Sequence, residues 1–218
     1  MTAFSIRDAA ILAEASYTPG AIRQPAIMHS CAHDDVQAHM LEGNILLLPG
    51  SNSISDYKNF NLRPIRLGRR KLRMDDNKAE TGASGTVWHQ GFLAYASEIF
   101  HWLIQKGTAP NFIIGHSLGA AAAQILAKSY NVPAIGFAAP RPKFSRGPVK
   151  HHRQCLLINR NDDIVPRLPT SFFHMGQVKK LSPAVKRALP AHSMKQYRAI
   201  VDEAQASGAL PDKWAGGA

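Results

Sequence analysis

Absences narrow the reading first. The 218 residues contain only two cysteines, Cys31 and Cys155, far apart and without metal-ligand spacing. That implies no disulfide framework and no cysteine metal centre; two buried thiols are the expectation, with a single bridge between them the alternative. No apolar run approaches the ~18 residues of a membrane-spanning helix. The opening stretch, Met1-Thr2-Ala3-Phe4-Ser5-Ile6-Arg7-Asp8, shows no basic segment followed by an apolar one. No secretory signal is read, and a cytoplasmic protein or one exported by a non-classical route is expected. There is no internal repeat, low-complexity tract or linker, so residues 1–218 are expected to form one domain. Acidic residues are also scarce: 15 Asp and Glu stand against 26 Lys and Arg, a formal net charge of +11.

A hydrophobic fraction of 45% with 19% charged residues describes a globular chain long enough to bury a substantial core. The basic surplus concentrates in Arg63 to Arg73, Arg141 to Arg153 and Lys179 to Arg187. Such a field serves solubility, and it also attracts anionic surfaces, with peripheral contact to an anionic membrane as the expected form. Nucleic acid is not an expected partner, because the aromatics form no base-stacking platform and no nucleic-acid motif is present. His29, His33, Asp34 and Asp35 lack a third convergent ligand and read as a solvated loop, so no metal is expected.

The most informative stretch is Phe112-Ile113-Ile114-Gly115-His116-Ser117-Leu118-Gly119-Ala120. Apolar β-formers run into a Gly-x-Ser-x-Gly turn, which runs into an alanine-rich helix. A serine hydroxyl attacks well only when held exposed beside a base, and a strained strand-to-helix turn presents Ser117 that way. Gly115 and Gly119 remove the β-carbons that would collide as strand and helix pass. The Leu118 N–H opens the helix, with the positive end of its dipole toward any oxyanion at Ser117. His116 is read as a packing residue.

Around this stretch, helices are expected at 6–17, with Tyr17 on its apolar face, at 92–106, with Ile99, Leu103 and Ile104 inward, and at 192–206. Strands are expected at 36–41, 44–49, 132–137 and 154–159, with 172–181 pairing as a strand or hairpin. The alternation argues for an α/β domain with a mostly parallel sheet covered by helices on both faces. Ligands bind such sheets at the carboxyl ends of the strands, where Ser51, Ser117 and Asp163 all fall. Residues 61–85 lack a clean period and read as a loop or as a flap at the site mouth. Asp56 reads as a loop anchor, and the tail beyond Trp214 as frayed.

With Ser117 as nucleophile, a carboxylate and then a histidine should follow. Asp163, at a strand end before Ile164-Val165-Pro166, fits the carboxylate. Two histidines compete for the base. His174 lies in a β-like run eleven residues later, and His192 follows Pro190 on a loop before the last helix. A base must reach both Ser117 and Asp163 from a loop over the strand ends, which favours His192.

These motifs, together with Gly50-Ser51 before Asp56-Tyr57, His89-x-Gly91-Phe92, Phe137-Ala-Ala-Pro140-Arg141 and Leu168-Pro169, make the chain similar to the class 3, fungal-type lipases. The resemblance implies an α/β-hydrolase fold, a Ser117–Asp163–His192 triad, and an oxyanion hole from the N–H groups of Ser51 and Leu118. It implies no metal and no organic cofactor. The implied substrate is a lipid or other acyl ester, with glycerolipid hydrolysis ahead of phospholipase A1 or feruloyl-type esterase activity. A catalytically inactive binding module on the same fold is the alternative of a different class. Pro49 and Ala120 depart from the family's usual residues at those positions.

Overall fold

A computed structural model of the chain describes residues 3–33, 35–50, 77–184 and 191–217, together with the backbone of 65–67 and 70–72. Its centre is a seven-stranded sheet: β1 (Ile27–His33), β2 (Val36–Leu41), β3 (Ile45–Leu48), β4 (Phe112–His116), β5 (Ala134–Phe137), β6 (Cys155–Arg160) and β7 (Gln177–Leu181). The strands lie side by side in sequence order. β3 to β7 are mutually parallel, while β1 and β2 turn the far edge antiparallel. The four inner parallel strands, β3 to β6, are buried along their whole length. Their continuous apolar runs follow from helices covering both faces.

Four helices supply that cover: α1 (Ile6–Ala15), α2 (Gln90–Gln105), α3 (Leu118–Tyr130) and α4 (Met194–Ala206). α2 and α3 pack on one face, in a core with Trp88, Phe92, Ile99, Ile113 and Leu157. α1 and α4 pack on the other, with Ile114, Phe137, Ile158 and Tyr197. The ends are locally specified. The Ser5 hydroxyl accepts the Asp8 N–H at 3.2 Å and opens α1. His89 Nδ1 accepts the Phe92 N–H at 3.3 Å and opens α2. Asn131, left-handed at φ 54°, ends α3.

The small residues at the start of α3 have a measurable cause. A β-carbon on Gly115 would lie 2.8 Å from the Ala120 Cα, and one on Gly119 would lie 2.6 Å from the Pro49 carbonyl oxygen. Helix and sheet therefore touch backbone to backbone where β4 becomes α3. This contact fixes the turn between them.

Several expectations need correction. β1 occupies a region read as a loop, so His29 and His33 sit on an edge strand. Ile104 is 59% exposed, not inward. Each buried apolar side chain contributes about 1.5–3 kcal/mol, so the fully buried Phe92, Ile99 and Leu103 set the rotation of α2, and Ile104 falls outside their arc. The tail is not frayed: Lys213–Trp214 pairs antiparallel with Phe4–Ser5, and the Gly217 N–H donates to the Arg153 carbonyl at 3.0 Å. Within 61–85, Ile65–Leu67 pairs with Arg70–Leu72, and Ala79–Thr81 pairs with Val87–His89, the latter leading directly into α2. Both cysteines are free thiols, and burial pushes the Cys155 thiol up. Among the described residues no helix is long and apolar enough to cross a membrane.

Candidate active site

The site is assembled at the carboxyl ends of the parallel strands. Ser117 sits between β4 and α3 with φ 54° and ψ −121°, a conformation L-residues seldom adopt. Its backbone is held there from both sides. Its N–H donates to the Phe137 carbonyl at 2.9 Å, and its own carbonyl accepts from Ala120 at 2.9 Å and Ala121 at 3.1 Å. A serine at the start of a helix ordinarily caps it with its hydroxyl. Here the Oγ points instead to His192 Nε2, 2.8 Å away.

His192 lies on the loop before α4, and its Nδ1 is 2.8 Å from Asp163 Oδ2. Asp163 follows β6. Its Oδ1 accepts the Val165 N–H at 3.0 Å, and Oδ2 also accepts the Tyr197 hydroxyl at 2.9 Å. Burial alone would push this carboxyl up. Hydrogen bonds from His192, Val165 and Tyr197 outweigh it and hold the group below the usual aspartate value. Asp163 is therefore an anion that accepts from Nδ1–H, leaving Nε2 as the lone pair facing Ser117. That is the order of donors and acceptors a serine needs to lose its proton.

Tyr197, on α4, is a site residue that the sequence did not single out. Its hydroxyl accepts the Arg160 N–H at 3.1 Å while donating to Asp163. Burial, and then the Asp163 charge, raise its pKa well above the ordinary tyrosine value, so it stays a donor.

His174 is elsewhere. Its Nε2 is 2.8 Å from the Ala139 carbonyl, where it braces the turn after β5. Burial lowers its pKa to about 4. Leu118 is the first residue of α3, so its N–H belongs to the helix's first turn beside Ser117. Ser51 and Asp56 lie outside the described residues. Among the described residues no group of three or more His, Cys, Asp or Glu could hold a metal ion. His151 and His152, in the basic run after β5, are both half-buried.

Among solved structures, the triacylglycerol lipase of Penicillium expansum aligns with a TM-score of 0.52 at 16% identity, over 86% of this chain and 80% of that one. The chain has the α/β-hydrolase fold. Two further fungal lipases match less well. Lip2 lipase from Yarrowia lipolytica gives a TM-score of 0.48 at 16% identity, covering 86% of this chain and 80% of its own. The Rhizomucor miehei lipase propeptide complex gives 0.48 at 19% identity, covering 84% and 69%. No protein-family model and no curated protein matches the sequence. At these identities the likeness extends to the fold. The chemistry is read from the side chains of Ser117, His192 and Asp163 themselves.

Proposed function

We propose that this α/β-hydrolase is a serine carboxylic-ester hydrolase of the class 3 lipase type, cleaving acyl esters of glycerolipids. The observation that carries the reading is the continuous chain Ser117 Oγ–His192 Nε2, His192 Nδ1–Asp163 Oδ2, with 2.8 Å at each link, on a turn with positive φ.

Ser117 Oγ attacks the ester carbonyl as its proton passes to His192 Nε2. The resulting imidazolium is held by the Asp163 anion, and the tetrahedral oxyanion is received by the N–H groups of Leu118 and Ser51. Collapse breaks the acyl–oxygen bond, and His192 returns the proton to the departing alcohol. Water, deprotonated by the same ring, then attacks the acyl-enzyme and frees the acid and Ser117. Among the fungal structures of this fold, the Penicillium protein is described as a triacylglycerol lipase, which supports an acylglycerol substrate.

An anionic lipid surface is the proposed setting. Phe144, 49% exposed, and Ile164, 41% exposed, lie in loops beyond the carboxyl ends of β5 and β6. Arg141, Arg146 and Arg167 share those loops. Apolar tips among cations suit a charged interface. Lys143, counted with that basic run, is withdrawn from it: it is fully buried, and its ammonium donates to the carbonyls of Ser145 and Gly147. Much of the expected flap at 61–85, namely 61–64, 68–69 and 73–76, lies outside the described residues.

A hydrolysis panel tests it: p-nitrophenyl esters, triolein, phosphatidylglycerol and methyl ferulate, each with Ser117→Ala as control. Turnover of triolein or phosphatidylglycerol that is lost in the variant is expected. Turnover restricted to methyl ferulate would replace the lipid substrate, and none at all would leave the binding-module alternative.

A further inference from the structure

His116 lies next to the nucleophile, and its ring is fully buried with both nitrogens engaged. Nε2 is 3.0 Å from the backbone carbonyl of His192, and Nδ1 meets the Tyr17 hydroxyl. That hydroxyl also accepts the Gly50 N–H at 2.9 Å. Gly50 ends the segment after β3, and a β-carbon on it would lie 2.6 Å from the Tyr17 oxygen and 2.9 Å from the Ser117 Cβ.

The proton positions follow from these contacts. A carbonyl only accepts, so Nε2 must carry the hydrogen toward His192. Nδ1 is then a lone pair, and Tyr17 must be the donor to it. The Tyr17 oxygen in turn offers its own lone pairs to Gly50. A second proton on His116 would bring Nδ1–H and the Gly50 N–H together on the Tyr17 oxygen and expel the phenol hydrogen from its acceptor. The doubly protonated ring would also sit against His192, with centroids 5.0 Å apart, where the mechanism requires an imidazolium. Burial, and then the His192 charge, lower the His116 pKa to about 3, consistent with that arrangement.

We propose that Tyr17 and His116 are positioning residues, a hydrogen-bonded relay that ties the strand end at Gly50 to the loop carrying His192. The proposal rests on the serine-hydrolase reading. Asp163 and Tyr197 fix the imidazole from its Nδ1 side, and the relay fixes the backbone from which that imidazole hangs. The base is thereby held at both ends. One end of the relay is the Gly50 N–H after β3, so one hydroxyl joins that strand end to the loop carrying the base. Small displacements of such groups lower the rate of the chemical step more than they weaken substrate binding.

The test compares wild type, Tyr17→Phe, His116→Leu and His116→Gln in p-nitrophenyl butyrate hydrolysis, in the rate of fluorophosphonate labelling, and in thermal denaturation. Tyr17→Phe and His116→Leu are expected to lower kcat and labelling rate by about 10- to 100-fold with KM within about twofold, as removal of positioning predicts. His116→Gln retains an N–H donor toward the His192 carbonyl and should recover most of the His116→Leu loss. Should His116→Leu fail to fold, Tyr17→Phe, which deletes one oxygen, decides alone. An active wild type whose Tyr17→Phe variant keeps full kcat and labelling rate overturns the relay and leaves the enzymatic reading intact. Equal losses in the Leu and Gln variants would reduce His116 to a packing residue and overturn its half of the proposal. A folded wild type that neither takes up the probe nor hydrolyses the ester overturns the enzymatic reading, and the relay with it.

Discussion

The two ends of the central sheet do different work. From β3 to β7 the strands run parallel, so every carboxyl end points the same way, and loops from four of them meet there. Gly50, Ser117, the turn at Ala138 and Asp163 all come from those loops. β1 and β2 run antiparallel at the other edge. β1 alternates half-buried and exposed residues, whereas Phe112–His116 has none exposed. Parallel pairing thus concentrates chemistry at one end of the domain, and the cost is a core with no slack. The antiparallel edge finishes the sheet and carries little else.

That contrast can be broken at several points. The largest effect is expected at the base. His192→Ala should lower ester turnover by at least ~10³-fold, since triad members act as a unit, while folded His174→Ala stays within about tenfold of wild type. The reverse ranking in kcat would hand the role to His174.

Next comes the backbone contact between β4 and α3. Gly119→Val puts a side chain against the Pro49 carbonyl, and overpacking of this kind should cost about 3 kcal/mol or more, read as a lower urea midpoint. A midpoint unchanged from wild type would mean the turn is looser than described.

Acid should sharpen the difference further. The unfolded chain protonates its histidines near 6.5, whereas buried His116 and half-buried His174 take protons only near about 3 and 4. Below about pH 6.5 the unfolded state therefore binds more protons. Stability is present at neutral pH and is lost as pH falls through that window, by up to about 1.4 kcal/mol per unit for each histidine. Urea titrations at pH 7 and pH 5 should show the loss, and His174→Gln should lessen it. A midpoint independent of pH over that range would contradict the holding of both rings as neutral groups.

The smallest effect belongs to the far edge. Ala32→Val on exposed β1 should change stability by less than about 0.5 kcal/mol. A loss comparable to that of Gly119→Val would erase the contrast.

Legibility in the sequence followed the same division. β4 and α3 announced themselves because the chemistry of the turn and the closeness of helix to sheet both demand glycine at fixed places. The inner parallel strands showed as unbroken apolar runs. β1 did not, because Ile27-Met28-His29-Ser30-Cys31-Ala32-His33 buries no residue fully and carries polar groups on both faces. The pairing of Lys213–Trp214 with Phe4–Ser5 spans nearly the whole chain, and nothing in a Gly- and Ala-rich tail signals it. At the site, Ser117 had a local motif and Asp163 a position at a strand end, whereas the histidine had two contenders. Tyr17 reads as an apolar-face aromatic and Tyr197 carries no motif at all, since helical spacing shows where a ring lies and not what its hydroxyl meets. His116 was legible as buried; its bond to the His192 carbonyl, 76 residues away, was not.

The central claim is that Ser117 is made nucleophilic by His192 and Asp163 at the carboxyl end of the parallel strands. Its most direct test is intact-mass and peptide mapping after treatment with a fluorophosphonate, run on wild type, Ser117→Ala and His192→Ala. A single adduct per chain, mapped to Ser117, is expected in wild type, and none in either variant. An unlabelled wild type, or an adduct on another serine that persists in Ser117→Ala, would contradict it.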